Sequence, residues 1–212
     1  MTIDSSALLR MFAGIAAALE ADKDRLCALD GMIGDADHGI AMALGFTAAR
    51  DALASIDVAA TTPTQVFNTA AKSFLNAVGA SSGPLYATAL MRAGAAVNGK
   101  SVLAAADIAA VIEAMAKGIG DRGKAALGEK TMLDAWAPAA AAAAQARAEG
   151  KDISAILGAA TAASRTGAEA TKSMIATKGR SSRLGERSLG HIDPGAASTV
   201  TILEAVEKSL AG

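Results

Sequence analysis

The sequence has little cysteine, few aromatic residues and almost no net charge. Its 212 residues include one cysteine, one tryptophan, one tyrosine and four phenylalanines. A lone Cys27 cannot form an internal disulfide, and Asp4 and Arg10 interrupt any apolar secretion signal near the N-terminus. The 20 basic and 21 acidic residues leave a net charge of −1. We therefore expect a cytoplasmic protein that binds neither nucleic acid nor an anionic membrane surface.

Long uncharged runs are also scarce. The longest is the nineteen-residue stretch Ser73–Met91, which has the length needed to cross a bilayer. The segment Gly79-Ala80-Ser81-Ser82-Gly83-Pro84 interrupts it in the middle, and such a cluster of small residues with a proline favours a turn. We interpret this stretch as two helices joined by a loop.

Alanine is abundant, with 56 residues, and it favours helices. Apolar residues recur with the 3.6-residue period of a helix, and no stretch alternates as a strand would. Thr62-Pro63-Thr64-Gln65 has the pattern of a capping box with proline at the first helical position, and Asp193-Pro194 repeats that start. These patterns predict an all-α fold, a single-domain antiparallel barrel or bundle of eight helices that occupies residues 1–212.

The predicted helices lie near residues 5–28, 38–55, 63–78, 84–97, 104–120, 132–149, 152–176 and 194–210. Pro138 falls inside the sixth of them. Because proline lacks a backbone donor, we expect either a kink there or a helix that begins after it.

Three aspartates lie close together in the first segment between helices, Asp30–Gly39. Asp30, Asp35 and Asp37 fall within eight residues, just before a helix. Converging carboxylates repel one another unless a cation lies between them, and Mg²⁺ prefers oxygen ligands. One hypothesis is therefore a magnesium site. The alternative is that Asp35 or Asp37 caps the following helix and the other carboxylates are solvated.

Three further segments collect glycine, serine and basic residues. Gly79–Gly83 leads through Pro84 into a helix, where backbone N–H groups and hydroxyls could bind phosphate, although an ordinary turn has the same composition. Asp121–Lys124 with Gly128–Met132 mixes glycines with basic residues, and alone it indicates only a solvated connection. Thr177–Gly195 is long for a connection in a small domain, and its three arginines could clamp phosphate.

Taken together, these motifs resemble those of the nucleotide-binding L subunit of dihydroxyacetone kinases, a module that also forms the C-terminal domain of single-chain versions. The matching motifs extend over nearly the whole chain. They are Asp30 with Gly34–Gly39, Gly79–Gly83, Gly128–Asp134, and Gly179-Arg180 through Gly185–Ser188 to Asp193–Ala196. The resemblance implies a barrel of eight antiparallel helices that holds ADP or ATP and two Mg²⁺ ions at one end.

The resemblance also implies roles for individual residues. Asp30, Asp35 and Asp37 would be the metal ligands and, with Arg180, the catalytic residues that position phosphate and neutralise its charge. The implied nucleotide contacts are His38, Gly39, Ser81, Ser82, Gly123, Met132, Arg180, Asp193, Pro194 and Gly195. His191 matches the motif without an implied role, and we interpret it as a buried or capping histidine.

Two departures from the family pattern concern the first motif. Ala36 replaces a glycine that usually separates the two aspartates, and an alanine is unstrained there only at negative φ. Ile40 and Ala41 replace a common Thr-Asn pair and offer no side-chain donor to phosphate. These departures bear on the affinity for nucleotide and on the subfamily to which the chain belongs.

The function implied by the resemblance is phosphoryl transfer from bound ADP/ATP to dihydroxyacetone held on a partner, the substrate-binding kinase subunit. In one branch of the family a phosphocarrier protein of the phosphoenolpyruvate system rephosphorylates bound ADP, and in the other ATP is the donor. Two alternatives remain. The acceptor could be another small ketose or polyol such as erythrulose, or the chain could be a non-catalytic interaction protein that senses nucleotide.

Overall fold

Eight α-helices contain most of the residues, 2–79 and 82–211, that this computed structural model describes. The helices are α1 (Ser5–Ile33), α2 (His38–Ala54), α3 (Pro63–Ala77), α4 (Ser82–Ala96), α5 (Ala105–Gly123), α6 (Leu133–Ala148), α7 (Ile153–Ala170) and α8 (Pro194–Leu210). Short 3₁₀ segments cover Val58–Ala60, Thr171–Ser173 and Arg180–Ser188. Within the described residues the only strand-like pairing is a single bridge between Ile3 and Leu103. The predicted all-α class and the eight helices are confirmed.

The helices form a closed ring. Each one packs against the next along the chain, and α8 packs against α1. Because most connections are short, neighbouring helices run in opposite directions, as the predicted antiparallel barrel requires. Consequently the ends of the odd-numbered helices and the starts of the even-numbered ones meet at one end of the barrel.

Local sequence signals fix several helix starts. The Thr62 hydroxyl accepts a hydrogen bond from Gln65 N at 3.3 Å, and the Gln65 side chain accepts one from Thr62 N at 2.8 Å. Asp193 caps α8 by accepting a hydrogen bond from Ala196 N at 2.8 Å, with Pro194 at the first helical position. The predicted capping box and the second Asp-Pro start are therefore confirmed.

The interior combines small residues with a few aromatic rings. Phe46 makes edge-on contacts with Phe74 and Tyr86, whose ring centroids lie 5.1 and 5.8 Å from its own. These three side chains and Trp136 are fully buried. Gly45 makes the packing around Phe74 possible, since an added Cβ would lie 2.3 Å from that ring. The absence of a side chain at Gly45 therefore leaves the space that the Phe74 ring fills.

Two predicted boundaries need correction. The first helix continues to Ile33 instead of ending at residue 28, which places Asp30 in a helical turn. The long predicted seventh helix ends at Ala170 and is followed by the 3₁₀ turn Thr171–Ser173. The sixth helix, predicted near residues 132–149, covers Leu133–Ala148, so it continues through Pro138 and does not begin after it.

The helix tolerates Pro138 because its neighbour α7 covers the interrupted turn. The proline cannot donate to the carbonyl of Asp134, and that carbonyl faces Gly167 of α7. An added Cβ at Gly167 would lie only 2.0 Å from the Asp134 carbonyl oxygen. The glycine therefore lets the two backbones approach at the position where α6 lacks its own hydrogen bond.

The uncharged stretch Ser73–Met91 is divided between the end of α3 and the start of α4, as predicted. Among the described residues, no helix combines the length and the hydropathy that crossing a bilayer would require.

Candidate functional site

A cavity of about 480 Å³ opens at the end of the barrel where the predicted motifs meet. Its polar lining includes the aspartates near the start of α2, the loop before α6 and the start of α8. Apolar side chains from the opposite wall complete it, namely Val78, Leu85, Ile119 and Met132. The volume lies within the usual range for pockets that enclose small ligands.

The three predicted aspartates converge in this cavity. One carboxylate oxygen from each of Asp30, Asp35 and Asp37 can be chosen so that all lie within 4.8 Å of one another. Asp30 is buried, whereas Asp35 and Asp37 are exposed. An all-carboxylate oxygen donor set of this kind suits Mg²⁺, which keeps water or phosphate oxygens in its remaining positions.

Asp30 is fixed by the start of the next helix. Its Oδ2 accepts hydrogen bonds from Asp37 N at 2.9 Å and His38 N at 3.2 Å. Asp37, although it precedes α2, makes no side-chain capping bond. The capping alternative for Asp35 or Asp37 is therefore not what the structure shows, because Asp30 supplies the cap from α1.

Arg180 reaches the acidic cluster from the loop before α8. Its Nη1 pairs with Asp35 Oδ2 and lies 3.8 Å from Asp37 Oδ2. The guanidinium thus partly offsets the repulsion between the carboxylates. The arginine predicted to clamp phosphate lies directly beside the predicted metal ligands.

A second group of charges is buried beside the cavity, with Lys130 in its lining. Lys130 is 2% exposed and donates hydrogen bonds from Nζ to the carbonyl oxygens of Thr171 and His191. Asp134 accepts hydrogen bonds from Gly128 N at 2.6 Å and Thr131 N at 2.8 Å, which folds the loop before α6 around its carboxylate. Burial lowers the pKa of Lys130, and the carboxylates of Asp193 and Asp134 oppose this shift.

Two cavity residues have strongly shifted ionisation. Burial raises the pKa of Asp193 to about 7, although its hydrogen bond from Ala196 N and the nearby Lys130 both lower it. Burial lowers the pKa of His38 to about 4, against the attraction of the Asp30 carboxylate. His38 Nε2 lies 2.9 Å from the Ser198 hydroxyl, which connects the start of α2 to α8.

These two shifts make opposite contributions to the pH dependence of stability. Between about pH 4 and pH 7 native Asp193 holds a proton that the unfolded chain has lost, so its contribution to stability falls as pH rises. Between about pH 6.5 and pH 4 native His38 stays neutral while the unfolded chain gains a proton, so its contribution falls as pH falls.

We therefore expect each single variant to reveal the contribution of the residue that it replaces. In metal-free protein, the difference in unfolding free energy between Asp193→Asn and wild type should increase with pH from 4.5 to 6.5, by up to about 1.4 kcal/mol per unit. The corresponding difference for His38→Gln should decrease with pH over the same range. Urea unfolding at several pH values measures both slopes, and slopes of the same sign would contradict the assignment.

Ala36 adopts the backbone conformation that its alanine disfavours. Its φ is +64°, in the left-handed region, so the departure from glycine at this position does strain the loop.

We expect Ala36→Gly to raise the unfolding free energy by about 1 kcal/mol. Ala141→Gly, the same change at an exposed position in the middle of α6, should lower it by about 1 kcal/mol. Equal losses in both variants, measured by urea unfolding, would contradict this account.

The structure brings most of the predicted site residues together. Those that line the cavity are Asp30, Asp35, Asp37, His38, Ser82, Gly123, Met132, Arg180, Asp193, Pro194 and Gly195. Ser81 lies outside the described residues. Ala41 lines the cavity, whereas Ile40 is 55% exposed beyond it.

Two residues of the predicted motifs, Gly39 and His191, do not line the cavity. Gly39 is buried outside the cavity lining, and an added Cβ would lie 2.0 Å from the Lys23 carbonyl oxygen of α1. Its predicted contact with nucleotide stays a prediction, while its contact with α1 is evident. His191 is partly buried and contributes its backbone carbonyl, which accepts a hydrogen bond from Lys130.

The sequence predicts no role for Lys130, Asp134 or Lys178. All three belong to segments singled out for their glycines and charges, but nothing in the residue pattern shows that Lys130 is buried or that Asp134 folds its own loop. Lys178 lines the cavity and lies 3.5 Å from Glu129.

The fold and the site together define an all-α barrel with an acidic cavity built by the loops at one end. The sequence model of the DAK2 domain matches residues 32–208, so the chain belongs to the DAK2 domain family. The predicted resemblance is confirmed.

Several known proteins are similar to it over most of its length. The ADP-binding subunit DhaL of PEP-dependent dihydroxyacetone kinase 1 from Listeria innocua is 39% identical and covers 97% of both chains. The ADP-binding subunit DhaL from Escherichia coli is 35% identical and covers 86% of both. The crystal structure of the C. freundii dihydroxyacetone kinase with AMP-PNP and Mg²⁺ matches with a TM-score of 0.70 and 25% identity, covering 95% of this chain and 33% of that one.

Proposed function

We propose that this protein is the nucleotide-binding, phosphoryl-transferring subunit of a dihydroxyacetone kinase. In this proposal residues 1–212 act as one domain in the cytoplasm, and the cavity holds ADP or ATP with two Mg²⁺ ions. The observation that carries it is the convergence of three carboxylate oxygens within 4.8 Å beside Arg180, in a cavity of ligand size. The names of the DhaL relatives, which are ADP-binding kinase subunits, support the same assignment.

Each part of the cavity fits a component of a metal–nucleotide complex. Asp30, Asp35 and Asp37 would hold the metal, which would neutralise phosphate charge. Arg180 extends from the opposite loop and is placed to bind the charged oxygens of a phosphoryl group. Gly195, in the first turn of α8, lines the cavity and would donate its backbone N–H to phosphate, and the apolar wall suits the nucleobase.

Asp30 has the most constrained part in this arrangement. Because Oδ2 is occupied by two backbone N–H groups, the carboxylate is held at one orientation with its other oxygen available. Asp35 and Asp37 are exposed and can adjust to a ligand. A rigid ligand combined with two adaptable ones suits a metal that has to accommodate a phosphate group being transferred.

The phosphoryl acceptor in this proposal is dihydroxyacetone held on a separate substrate-binding subunit. The relatives are named as subunits of PEP-dependent kinases, which favours a phosphocarrier protein of the phosphoenolpyruvate system as the source of the phosphoryl group. Purified chain should form no dihydroxyacetone phosphate until a substrate-binding subunit is added. Robust transfer without that subunit would contradict the proposal that nucleotide and acceptor are bound by two separate subunits.

The binding step is tested by thermal unfolding with ADP and Mg²⁺ added separately and together. Ligand at about 100 times its dissociation constant adds about 2.7 kcal/mol, which for a chain of this length raises the Tm by roughly 5–10 °C. We expect this rise only when both are present, because the metal neutralises phosphate charge beside the carboxylates. A shift with ADP that is the same in EDTA as in Mg²⁺ would contradict the proposal.

A further inference from the structure

Lys130 is unusual among the lysines of this chain. The other described lysines are exposed or partly exposed, whereas Lys130 is 2% exposed and lies at the edge of the cavity. Its backbone has a φ of +60°, a left-handed conformation that disfavours any residue with a Cβ. Burying an ammonium group and straining its backbone are both unfavourable, so they persist where the surrounding structure requires them.

The hydrogen bonds of Lys130 connect two distant parts of the chain. Its Nζ donates to the carbonyl oxygens of Thr171 and His191, which lie at opposite ends of one long segment. We call this segment, residues 171–193, the arginine loop, because it contains Arg180. A single side chain from the loop before α6 therefore joins both ends of the arginine loop.

Further hydrogen bonds extend from these ends toward Arg180. Asp193 N donates to the Thr171 hydroxyl at 2.9 Å, and Gly190 N donates to the Lys172 carbonyl at 2.8 Å. Nearer to Arg180, Ala176 N donates to the Ser188 hydroxyl at 3.0 Å. The two sides of the arginine loop are thus paired from the base that Lys130 holds to the part that carries Arg180.

The residue before Lys130 holds the loop from the same side. The Glu129 carbonyl accepts a hydrogen bond from Thr177 N at 3.3 Å, and the Glu129 carboxylate lies 3.5 Å from Lys178 Nζ. Thr177 and Lys178 directly precede the glycine before Arg180. Glu129 and Lys130 therefore contact the arginine loop at its beginning, its end and the approach to Arg180.

We propose that Lys130 is a positioning residue, which places Arg180 against the acidic cluster by joining the two ends of the arginine loop. Its effect on catalysis rests on the proposed function, whereas its effect on the loop does not. Lys130 acts through Arg180, so removing either side chain removes the same contribution.

The kinetic test compares Lys130→Met, Arg180→Met and the double variant in phosphoryl transfer with a substrate-binding subunit. Each single variant is expected to lower kcat by about 100-fold, because a displaced Arg180 no longer offsets the charge of the transferring group. The KM for the acceptor, which lies on the partner, should change less than about twofold. The double variant should be no slower than the slower single one, because the two residues form one unit. Losses that multiply in the double variant would overturn the proposal.

The loop itself is tested by limited trypsin digestion at Arg180, Arg183 and Arg187, followed by mass spectrometry. Cleavage in Lys130→Met should be at least about 10-fold faster than in wild type while far-UV circular dichroism still shows the helices. Ile156→Ala, a buried change in the first turn of α7 at the opposite end of the barrel, controls for loss of overall stability. Equal acceleration in the two variants, compared at the same interval below each Tm, would overturn the proposal.

A milder variant guards against loss of folding in Lys130→Met. Thr171→Val removes the hydroxyl that accepts from Asp193 N and leaves the charges intact, so it should produce a smaller acceleration of cleavage at the same arginines. No acceleration would overturn the proposal. If the wild-type protein transfers no phosphoryl group to any acceptor, the proposed function fails, and the cleavage comparison still decides whether Lys130 orders the loop.

Discussion

Asp30→Asn should lower phosphoryl transfer, assayed with a substrate-binding subunit, by about 1000-fold. Asparagine retains an oxygen that can accept from Asp37 N and His38 N, so the start of α2 keeps its cap. The variant loses the negative charge of the one buried carboxylate in the cluster. Titration calorimetry should show Mg²⁺ and ADP weakened together, while the Tm of the ligand-free variant stays near that of wild type.

Asp24→Asn is the matched control for this variant. Asp24 lies on the same helix, is exposed, and undergoes the same change of charge away from the cavity. Its rate of phosphoryl transfer should stay within about twofold of the wild-type rate, since exposed charges contribute little. Retention of Mg²⁺-dependent ADP binding by Asp30→Asn would show that the cluster does not hold the metal.

Gly39→Ala should lower the unfolding free energy by about 3 kcal/mol and weaken Mg²⁺ binding at the same time. An added Cβ would lie 2.0 Å from the Lys23 carbonyl oxygen and 2.9 Å from Cys27 Sγ, so α1 and α2 would have to separate. The separation would also move Asp30 away from the N–H groups that fix it. Guanidinium unfolding measures the stability, and calorimetry measures the metal.

Gly158→Ala is the control for the change from glycine to alanine itself, because this position has room for a Cβ. At Gly158 an added Cβ would meet only the Glu207 carboxylate at 3.5 Å, and the position lies inside α7. The substitution should therefore stabilise the protein by about 0.5–1 kcal/mol, the usual gain for alanine over glycine in a helix. If Gly39→Ala were as stable as wild type but bound nucleotide poorly, Gly39 would serve the ligand and not the helix contact.

The helices could be predicted because their signals are local. The apolar period and the caps at Thr62 and Asp193 lie within a few residues of the structure they determine. The end of α1 could not be placed, since Gly31 and Gly34 suggest a loop after residue 28. What keeps this turn helical is the tertiary contact of the Asp30 carboxylate with the start of α2, which no local pattern reveals.

Some features of the site could likewise be predicted from local sequence, whereas others depend on the folded chain. Asp30, Asp35 and Asp37 could be selected as candidates because they lie among glycines just before a predicted helix, and because the four motifs follow the order found in the family. The pairing of Arg180 with Asp35 depends on the barrel bringing distant loops together. The burial of Lys130 and the left-handed φ of Ala36 likewise depend on the folded backbone, so the sequence could state only the condition under which Ala36 would be strained.

The most direct measurement is the anomalous diffraction of crystals grown with ADP and Mn²⁺ in place of Mg²⁺. We expect anomalous density within bonding distance of oxygens from Asp30, Asp35 and Asp37, with the diphosphate beside it and Arg180 on the phosphate side. Density for ADP elsewhere on the barrel, with no anomalous signal near these three carboxylates, would contradict the assignment of this cavity as the metal–nucleotide site.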